Sequence, residues 1–466
     1  MTFRIDYISE PKLMFLNGES INPTVGLLKY SPRFSSEDET KHKWVKVGII
    51  GTSKSISQTI NFFEDMRYNI LPEKTVKWLM PFPGVNEQSP LKFSFSFRPE
   101  WQERFSIEEI KTIEGIETLD GRIEKVLSLV DSKMKVIYEK SPPEVIIVTI
   151  PEEIEKLCIN QNYDNPLIKL RNEDDFHNRI KVYGMRYKMP TQLIRPKTFA
   201  LEGTQDKSLI AWNLAVGMLY KSQKGYPWKL TYLPQETCFV GISFYKENLS
   251  GKKCTRASMA QVFLDTGQSF ILRGDPFECD EKDTKSPHLS KADAKHLIEV
   301  VLAQYNEVKG VVPQRLVIHK SSNYLPDEYE GFMDAAKDIR YKDFITIQKS
   351  DVKLYRTQSM PILRGSYLST PDDNEYYLFT TGYVPCLETY PGLSIPFPLM
   401  VRVKYKDTPI RQILEEILAF TKLDWNNTFI YRKEPVTLSV SRKVGQILSE
   451  SEAHNIEIDP HYYFYM

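Results

Sequence analysis

The sequence lacks the marks of several common protein classes. Its longest apolar run lies around Val145–Ile150 and falls short of the roughly 18 residues that a membrane-spanning helix needs. Residues 1–12 do not show the charged-then-apolar order of a signal peptide. The five cysteines are scattered and odd in number, which argues against a disulfide framework. We therefore expect a cytoplasmic protein with reduced thiols.

Motifs for common cofactors are also absent from the sequence. No CxxC or HxxxH spacing indicates a zinc site, and no GxGxxG indicates an NAD site. The stretch GTSKS (Gly51–Ser55) follows a strand-like run but lacks the GxxxxGK[ST] of a phosphate loop. It is predicted to be an ordinary turn between a strand and a helix.

Charge is balanced overall but unevenly placed. The 466 residues carry 61 Lys and Arg against 61 Asp and Glu. Between Phe176 and Leu230, however, ten basic residues stand against only Glu202 and Asp206. Such a local excess indicates either a polyanion-binding face or a solvated basic surface. Charge alone leaves both interpretations open.

The first half of the chain alternates between strand and helix patterns. Trp44–Thr52 and Glu144–Pro151 are apolar runs typical of buried strands. Ser53–Met66 has apolar residues at helical spacing, and Leu119–Lys140 is also predicted to be a helix. This alternation predicts a parallel α/β sheet.

The second half predicts a mixed sheet flanked by helices. Cys238–Lys246 and Arg315–Lys320 are strand-like, and Gln261–Gly274 has the pattern of a hairpin. A helix is predicted from an N-cap at Ser290 to a stop at Gly310.

The sequence also indicates the start of one helix and the boundary between two domains. A helix is expected to begin near Pro409. The segment Tyr226–Pro234 has two prolines and little periodicity, so we place a domain boundary there.

Polar residues within the basic window have a spacing that suits a phosphate. His177 and Lys181 are four residues apart and share a face if Asp174 begins a helix. Asn213 and Lys221 lie eight apart in a second helical segment. Lys181 and Lys221 could supply positive charge to one phosphate, and His177 and Gln192 could supply directed donors. Spacing of this kind is also common among ordinary surface residues.

The order of these residues resembles the MID domain of Argonaute proteins, in which a His-xxx-Lys, Gln and Lys set binds the 5′ phosphate of a guide strand. Here the set is His177, Lys181, Gln192 and Lys221. Two later segments resemble the PIWI domain: the stretch that contains Arg315–Lys320, and Leu423–Leu448. The resemblance is to short prokaryotic Argonautes, which consist of MID and PIWI alone.

The resemblance implies an α/β fold with a Rossmann-like MID domain followed by an RNase H-like PIWI domain. We expect an N-terminal segment over residues 1–25, MID over 26–232 and PIWI over 233–466. It also implies that Val182–Pro190 lines the first guide base. The C-terminal carboxylate of Met466 would lie near Mg²⁺ at the guide 5′ end, and the aromatic tail HYYFYM is expected to dock rather than remain disordered.

The nuclease positions of the family are poorly matched. Ser243 and Ser321 stand where the family has aspartates, and Thr437–Arg442, where a further ligand belongs, has no Asp, His or Asn. Mg²⁺ prefers charged oxygen ligands, and a two-metal nuclease needs about four ligand residues. We therefore expect no catalytic residues in this PIWI domain. His319 could serve as a base or simply pack at the end of its strand.

The resemblance implies a guide-dependent sensor of prokaryotic immunity. Its expected partners are a guide RNA, a complementary single-stranded DNA target from plasmids or phages, and an APAZ-containing effector with a TIR or sirtuin-like NAD-consuming domain. The effector would form a heterodimer with this chain, and target binding would drive oligomerisation and NAD depletion. An alternative is an active guide-directed nuclease with a non-standard metal site that uses Asp265 or Asp275, with Glu278 or Glu281 nearby. Another is a small-molecule phosphate-binding protein without a guide.

Overall fold

The structure is a computed structural model. It describes residues 3–34, 41–74, 76–158, 166–200, 205–249, 252–264, 269–277, 288–354, 361–370, 374–392, 394–453 and 456–466. Only the backbone is described at 166–175, 200, 245–249, 252–261, 273–277, 440–443, 449 and 452–453.

The strands are numbered in chain order. They are β1 (Arg4–Tyr7), β2 (Leu13–Met14), β3 (Glu19–Ser20), β4 (Lys43–Gly51), β5 (Phe93–Arg104), β6 (Val145–Thr149), β7 (Thr191–Ile194), β8 (Lys229–Leu230), β9 (Thr237–Leu249), β10 (Lys252–Phe263), β11 (Ser269–Phe277), β12 (Arg315–Lys320), β13 (Tyr341–Lys349), β14 (Ser366–Ser369), β15 (Glu375–Leu378) and β16 (Leu399–Lys406).

The helices are numbered in the same way. They are α1 (Pro23–Tyr30), α2 (Ser53–Asp65), α3 (Ile107–Glu114), α4 (Leu119–Lys140), α5 (Glu152–Cys158), α6 (Pro166–Arg186), α7 (Pro196–Ala200), α8 (Lys207–Gln223), α9 (Lys291–Lys309), α10 (Pro326–Ala335), α11 (Ile410–Phe420) and α12 (Val436–Ala453).

A four-stranded parallel sheet organises the first half of the chain. Its strands lie in the order β5-β4-β6-β7, and every neighbouring pair is parallel. This confirms the predicted parallel α/β sheet. All of β6 and the second half of β4, from Val47 to Gly51, are buried, as expected of strands covered by helices on both faces.

Helix α6 is longer than the sequence suggested. Asp174 was expected to begin a helix, but the helix begins at Pro166, so His177 and Lys181 lie in its second half. The predicted spacing on one face still holds, because both residues remain within a single continuous helix.

A nine-stranded mixed sheet organises the second half. Its order is β1-β14-β15-β16-β13-β12-β9-β10-β11. Strand β12 lies in its interior, next to the middle strand β13, and runs parallel to both β9 and β13. Strands β10 and β11 form the predicted hairpin, although its turn at Thr266 and Gly267 falls outside the described residues.

Helices cover both faces of this sheet. Apolar residues from α9 and α10 pack on one face with Ile242 and Ile318, whereas α12 packs against β9 and β10. The predicted caps of α9 are confirmed: Ser290 Oγ accepts from the backbone N–H of Asp293, and Gly310 ends the helix with a φ of 71°.

The strands of the N-terminal segment belong to the nine-stranded sheet and to a third, small sheet. Strand β1 pairs with β14 at the edge of the nine-stranded sheet, and β2 pairs with β3 and β8 in a small three-stranded sheet. The buried Glu10 carboxylate accepts hydrogen bonds from Arg364 and forms an ion pair with Lys422. Helix α1 runs across the position expected to separate the segment from the next domain.

One hydrophobic core extends between the two large sheets. It joins Val47 and Ile147 of the four-stranded sheet to Phe239 and Val317 of the nine-stranded sheet. The C-terminal tail (462–466) belongs to the same core, as its aromatic composition predicted. Cys158, Cys238 and Cys386 are free thiols, and the helices that the structure describes include none that is long and apolar enough to span a membrane.

Candidate guide 5′-end pocket

A small cavity lies where α6, β7 and the C-terminal tail meet. Its volume is about 50 Å³. The residues that line it are His177, Ile180, Lys181, Thr191, Gln192, Leu193, Asn426 and Met466. Helix α6, strand β7, the segment between α11 and α12, and the chain terminus therefore converge on one site.

Lys181 and the chain terminus form the charged centre of this cavity. The Lys181 ammonium donates a hydrogen bond to a carboxylate oxygen of Met466. Both residues are buried, with 2% and 6% of their surfaces exposed. The ion pair stabilises both buried charges, because burying an unpaired charge costs free energy.

Lys221 lies directly behind Gln192. Its Nζ donates to Gln192 Oε1 at 2.7 Å, and 1% of the residue is exposed. Burial lowers the pKa of Lys221 to about 7. This contact fixes the carboxamide orientation of Gln192, so its Nε2 is the end that donates, here to the Leu193 carbonyl at 3.2 Å.

The structure thus brings together the four polar residues that the sequence grouped around one phosphate, with the Met466 carboxylate. His177, Lys181 and Gln192 line the cavity, and Lys221 reaches it through Gln192. Asn213 serves elsewhere: its Oδ1 accepts from the backbone N–H of Thr428 at 3.2 Å.

Two further outcomes concern the surroundings of the pocket. Most of the segment 182–190, expected to line the first guide base, is in the core: Val182, Met185 and Met189 are each at most 1% exposed. Asn426 was not singled out from the sequence, although it lies in the stretch that resembles the PIWI C-terminal segment.

Hydrogen bonds and an ion pair of Asp459 hold the tail in place, in addition to the packing of its aromatic rings. Asp459 Oδ1 accepts from the backbone N–H of His461 at 3.0 Å, and the Asp459 carboxylate pairs with Lys188 at 3.1 Å. The Tyr465 hydroxyl donates to the Asp459 carbonyl at 2.8 Å. These contacts set the position at which the terminal carboxylate meets Lys181.

Three arginines of the basic window are engaged in ion pairs. Arg179 pairs with Glu124, Arg186 with Asp131 at 2.6 Å, and Arg195 with Glu155 at 2.6 Å. Lys181 and Lys221 are buried at the pocket. Part of the charge of the basic window is therefore neutralised by ion pairs, and two of its lysines are buried at the pocket.

The two expected nuclease positions lie side by side in the nine-stranded sheet. Ile242 pairs with Lys320, so Ser243 and Ser321 follow on adjacent parallel strands. The backbone carbonyl of Ser321 accepts from Gln348 Nε2 at 2.8 Å.

His319 lies beneath α12 rather than in an open site. Its Nδ1 is 2.9 Å from the Thr437 hydroxyl, and 1% of the residue is exposed. Burial, with the charge of Arg315 nearby, lowers the pKa of His319 to about 3. Thr437 belongs to the first turn of α12, so the stretch Thr437–Arg442 is helical and its start packs on this histidine.

Within the described ranges, no group of three or more His, Cys, Asp and Glu side chains is placed to hold a metal ion. Asp265, Glu278 and Glu281 lie outside the described residues, and the side chain of Asp275 is likewise outside the description. The alternative metal site at Asp265 or Asp275 therefore stays a prediction.

Solved Argonaute and Piwi structures have the same fold. Clostridium butyricum Argonaute, bound to a guide DNA and a 19-mer target DNA, matches with a TM-score of 0.65 and 17% identity over 97% of this chain and 53% of its own. Drosophila Piwi matches with a TM-score of 0.62 and 13% identity over 99% of this chain and 56% of its own.

A third match is Marinitoga piezophila Argonaute in complex with a 5′ OH guide RNA, with a TM-score of 0.56 and 14% identity over 99% of this chain and 59% of its own. This chain spans between half and three fifths of the length of these structures. No family model and no curated protein matches the sequence.

Proposed function

We propose that this chain binds a 5′-phosphorylated guide strand and presents it to a complementary target. The proposal starts from the similarity of its fold to that of solved Argonaute and Piwi structures. The observation that carries the proposal is the convergence of His177, Lys181 and Gln192 with the Met466 carboxylate around one cavity, with Lys221 directly behind. The fold alone does not decide the 5′ group, since one matched Argonaute was solved with a 5′ OH guide RNA.

The charges of the pocket favour a phosphate over a hydroxyl. A terminal phosphate carries nearly two negative charges and several acceptor oxygens. Lys181 and Lys221 supply two cations, and His177 and Gln192 supply directed donors. A 5′-hydroxyl guide offers these groups no charge to compensate.

The Met466 carboxylate opposes an incoming phosphate unless a cation lies between them. Mg²⁺ is commonly bound by one or two carboxylates together with phosphate oxygens. The pocket fits that pattern, because it offers one carboxylate and room beside it for ligand oxygens. We propose that the Met466 carboxylate and the guide phosphates would share Mg²⁺ at the guide 5′ end. The ion would supply positive charge between the two anions.

We further propose that the PIWI domain holds a guide–target duplex without cutting it. The support is chemical: Ser243 and Ser321 occupy the two strand positions that would carry metal ligands, and serine hydroxyls are poor substitutes for carboxylates. His319 does not offset this loss, because it is buried against Thr437 and its pKa is lowered to about 3.

The biological output is proposed from the resemblance to short prokaryotic Argonautes. This chain would recognise a single-stranded DNA target through a guide RNA, with base pairing rather than protein contacts reading the sequence. Target binding would activate a separate APAZ-containing TIR or sirtuin-like effector in the cytoplasm, and that subunit would deplete NAD.

The direct experiment is to isolate nucleic acid that co-purifies with the chain, with and without the effector. The proposal predicts short RNA with a uniform 5′ phosphate. Absence of any nucleic acid, together with tight binding of a small phosphate compound, would instead support the small-molecule alternative. Isolation also identifies the sugar and the first base of the guide.

A further inference from the structure

We propose that Asn426 is a recognition residue for the guide 5′ phosphate and that its Nδ2 donates to a phosphate oxygen. The inference rests on the proposed 5′-phosphate pocket and adds a residue to it from the opposite wall. That wall is the segment 424–428, which lies in the connection between α11 and α12.

Asn426 faces the cavity together with the residues that carry its charge. Lys181, Gln192 and Met466 line the same space. The two lysines are already engaged in the structure, Lys181 with the terminal carboxylate and Lys221 with Gln192. A further neutral donor therefore adds direction to an anion site without adding a charge that must be buried.

The backbone around Asn426 is fixed by its neighbours. Asp424 accepts from the backbone N–H of Asn426 at 3.0 Å and from Nδ2 of Asn427 at 2.8 Å. Across the pocket wall, Asn213 of α8 accepts from the backbone N–H of Thr428 at 3.2 Å. The loop is thus held before any ligand arrives, and a prearranged donor loses less entropy on binding.

The carboxamide of Asn426 itself makes no hydrogen bond to any residue that the structure describes, in contrast to those of Asn213 and Asn427. Its Oδ1 lies toward α8, 3.3 Å from the position that a Cβ on Gly217 would occupy. Nδ2 is at the other end of the group. We infer that Gly217 leaves the space in which Asn426 keeps this orientation.

The test measures the affinity of guide RNAs of one sequence that carry either a 5′ phosphate or a 5′ hydroxyl. Asn426→Ala is expected to weaken binding of the phosphorylated guide by about tenfold or more, as for loss of one hydrogen bond to a charged group. Binding of the hydroxyl guide should change by less than about twofold. Asn426→Asp, which replaces the donor by an anion, should lose more, with or without Mg²⁺. Asn61→Asp, an exposed site on α2, is the matched control.

Gly217→Ala tests the orientation of the Asn426 side chain without changing Asn426 itself. Alanine is the better helix former, so helix propensity alone would not lower stability, but its Cβ would crowd Asn426 Oδ1. We expect a reduced preference for the phosphorylated guide, and no further loss when Gly217→Ala is added to Asn426→Ala, because both changes act on one contact.

The outcomes separate this inference from the function on which it rests. A wild-type protein with no preference for the 5′ phosphate would overturn the proposed pocket and Asn426 with it. A wild-type preference that survives Asn426→Ala, or an equal loss for both guides, would overturn Asn426 alone. Tighter Mg²⁺-dependent binding by Asn426→Asp would show a cation ligand instead of a phosphate donor and would also overturn the assignment.

Discussion

Lys181 donates a hydrogen bond to the C-terminal carboxylate of Met466, 285 residues further along the chain. Met466 is therefore part of the pocket wall, and its carboxylate meets the lysine that is proposed to bind the guide phosphate. This relationship makes the pocket sensitive to changes at Met466.

Adding one glycine after Met466 should weaken binding of the 5′-phosphorylated guide by tenfold or more. The new carboxylate cannot occupy the same buried position, so the Mg²⁺ proposed to lie between the carboxylate and the guide phosphate would lose its protein ligand. Met466→Leu keeps the carboxylate and changes side-chain volume little, so it should bind nearly as the wild type does. Equal affinities of the extended protein and the Leu variant would argue against a role for the terminus.

Lys221 should give guide binding and stability opposite pH trends. Its pKa is lowered by burial from 10.5 to about 7 in the folded protein. Between these values the unfolded chain binds more protons than the folded one, so the folded state gains stability as pH rises from about 7 toward 10. A bound phosphate favours the protonated lysine, so the affinity for the 5′-phosphorylated guide should fall over that range.

Thermal unfolding and guide affinity measured across this pH range would check both trends. Lys221→Met removes this titrating group and should reduce the slope of each profile; part of the stability trend should remain, because burial also lowers the pKa of Lys422 to about 8. A 5′-hydroxyl guide provides the binding control, since its affinity has no phosphate-linked proton uptake. A rising affinity for the phosphorylated guide above pH 7 would contradict the assignment.

Arg315, the first residue of the interior strand β12, should be important for stability. Its guanidinium donates to Asp343 at 2.7 Å and to Glu416 at 2.6 and 2.9 Å, and all three side chains are buried. Arg315→Met should cost about 3–5 kcal/mol in the free energy of unfolding, because it leaves two buried carboxylates without a cation.

Urea denaturation would measure this cost. Arg67→Met is the matched control, since Arg67 pairs with Glu64 at 3.0 Å on an exposed surface and such pairs contribute at most about 1 kcal/mol. A similar small effect for both variants would show that the Arg315 network is not a stabilising centre of the sheet.

No cleavage of a complementary strand is expected from the guide-loaded protein with Mg²⁺ or Mn²⁺. The reason is the identity of Ser243 and Ser321 at neighbouring strand positions. Gel analysis of a labelled target over time provides the measurement. Metal-dependent cutting that disappears in Asp265→Ala or Asp275→Ala would instead support the alternative active nuclease.

Local signals in the sequence predicted much of the fold. The bounds of α4 agree with the predicted Leu119–Lys140, and both caps of α9 were predicted from Ser290 and Gly310. Strand β5 was missed: its alternating Phe93, Phe95 and Phe97 are followed by Pro99 and charged residues, a pattern that tertiary pairing with β4 overrides.

The candidate site was only partly predictable for a physical reason. The spacing of His177 and Lys181 is local and follows from helical geometry. The place of Asn426 depends on how the segment after α11 packs against α8, and no short-range pattern encodes that contact. The neutralisation of the basic window by Glu124, Asp131 and Glu155 likewise depends on pairs that meet only in the folded chain.

The most direct test of the central claim compares 5′-phosphate and 5′-hydroxyl guide binding in Lys181→Ala, Lys221→Ala and the control Lys197→Ala. Lys197 lies in the same basic window but is exposed. The pocket predicts that both buried-lysine variants lose at least tenfold in affinity for the phosphorylated guide only, while Lys197→Ala keeps the wild-type preference. Equal losses for the two guides, or no loss, would contradict a 5′-phosphate pocket at this site.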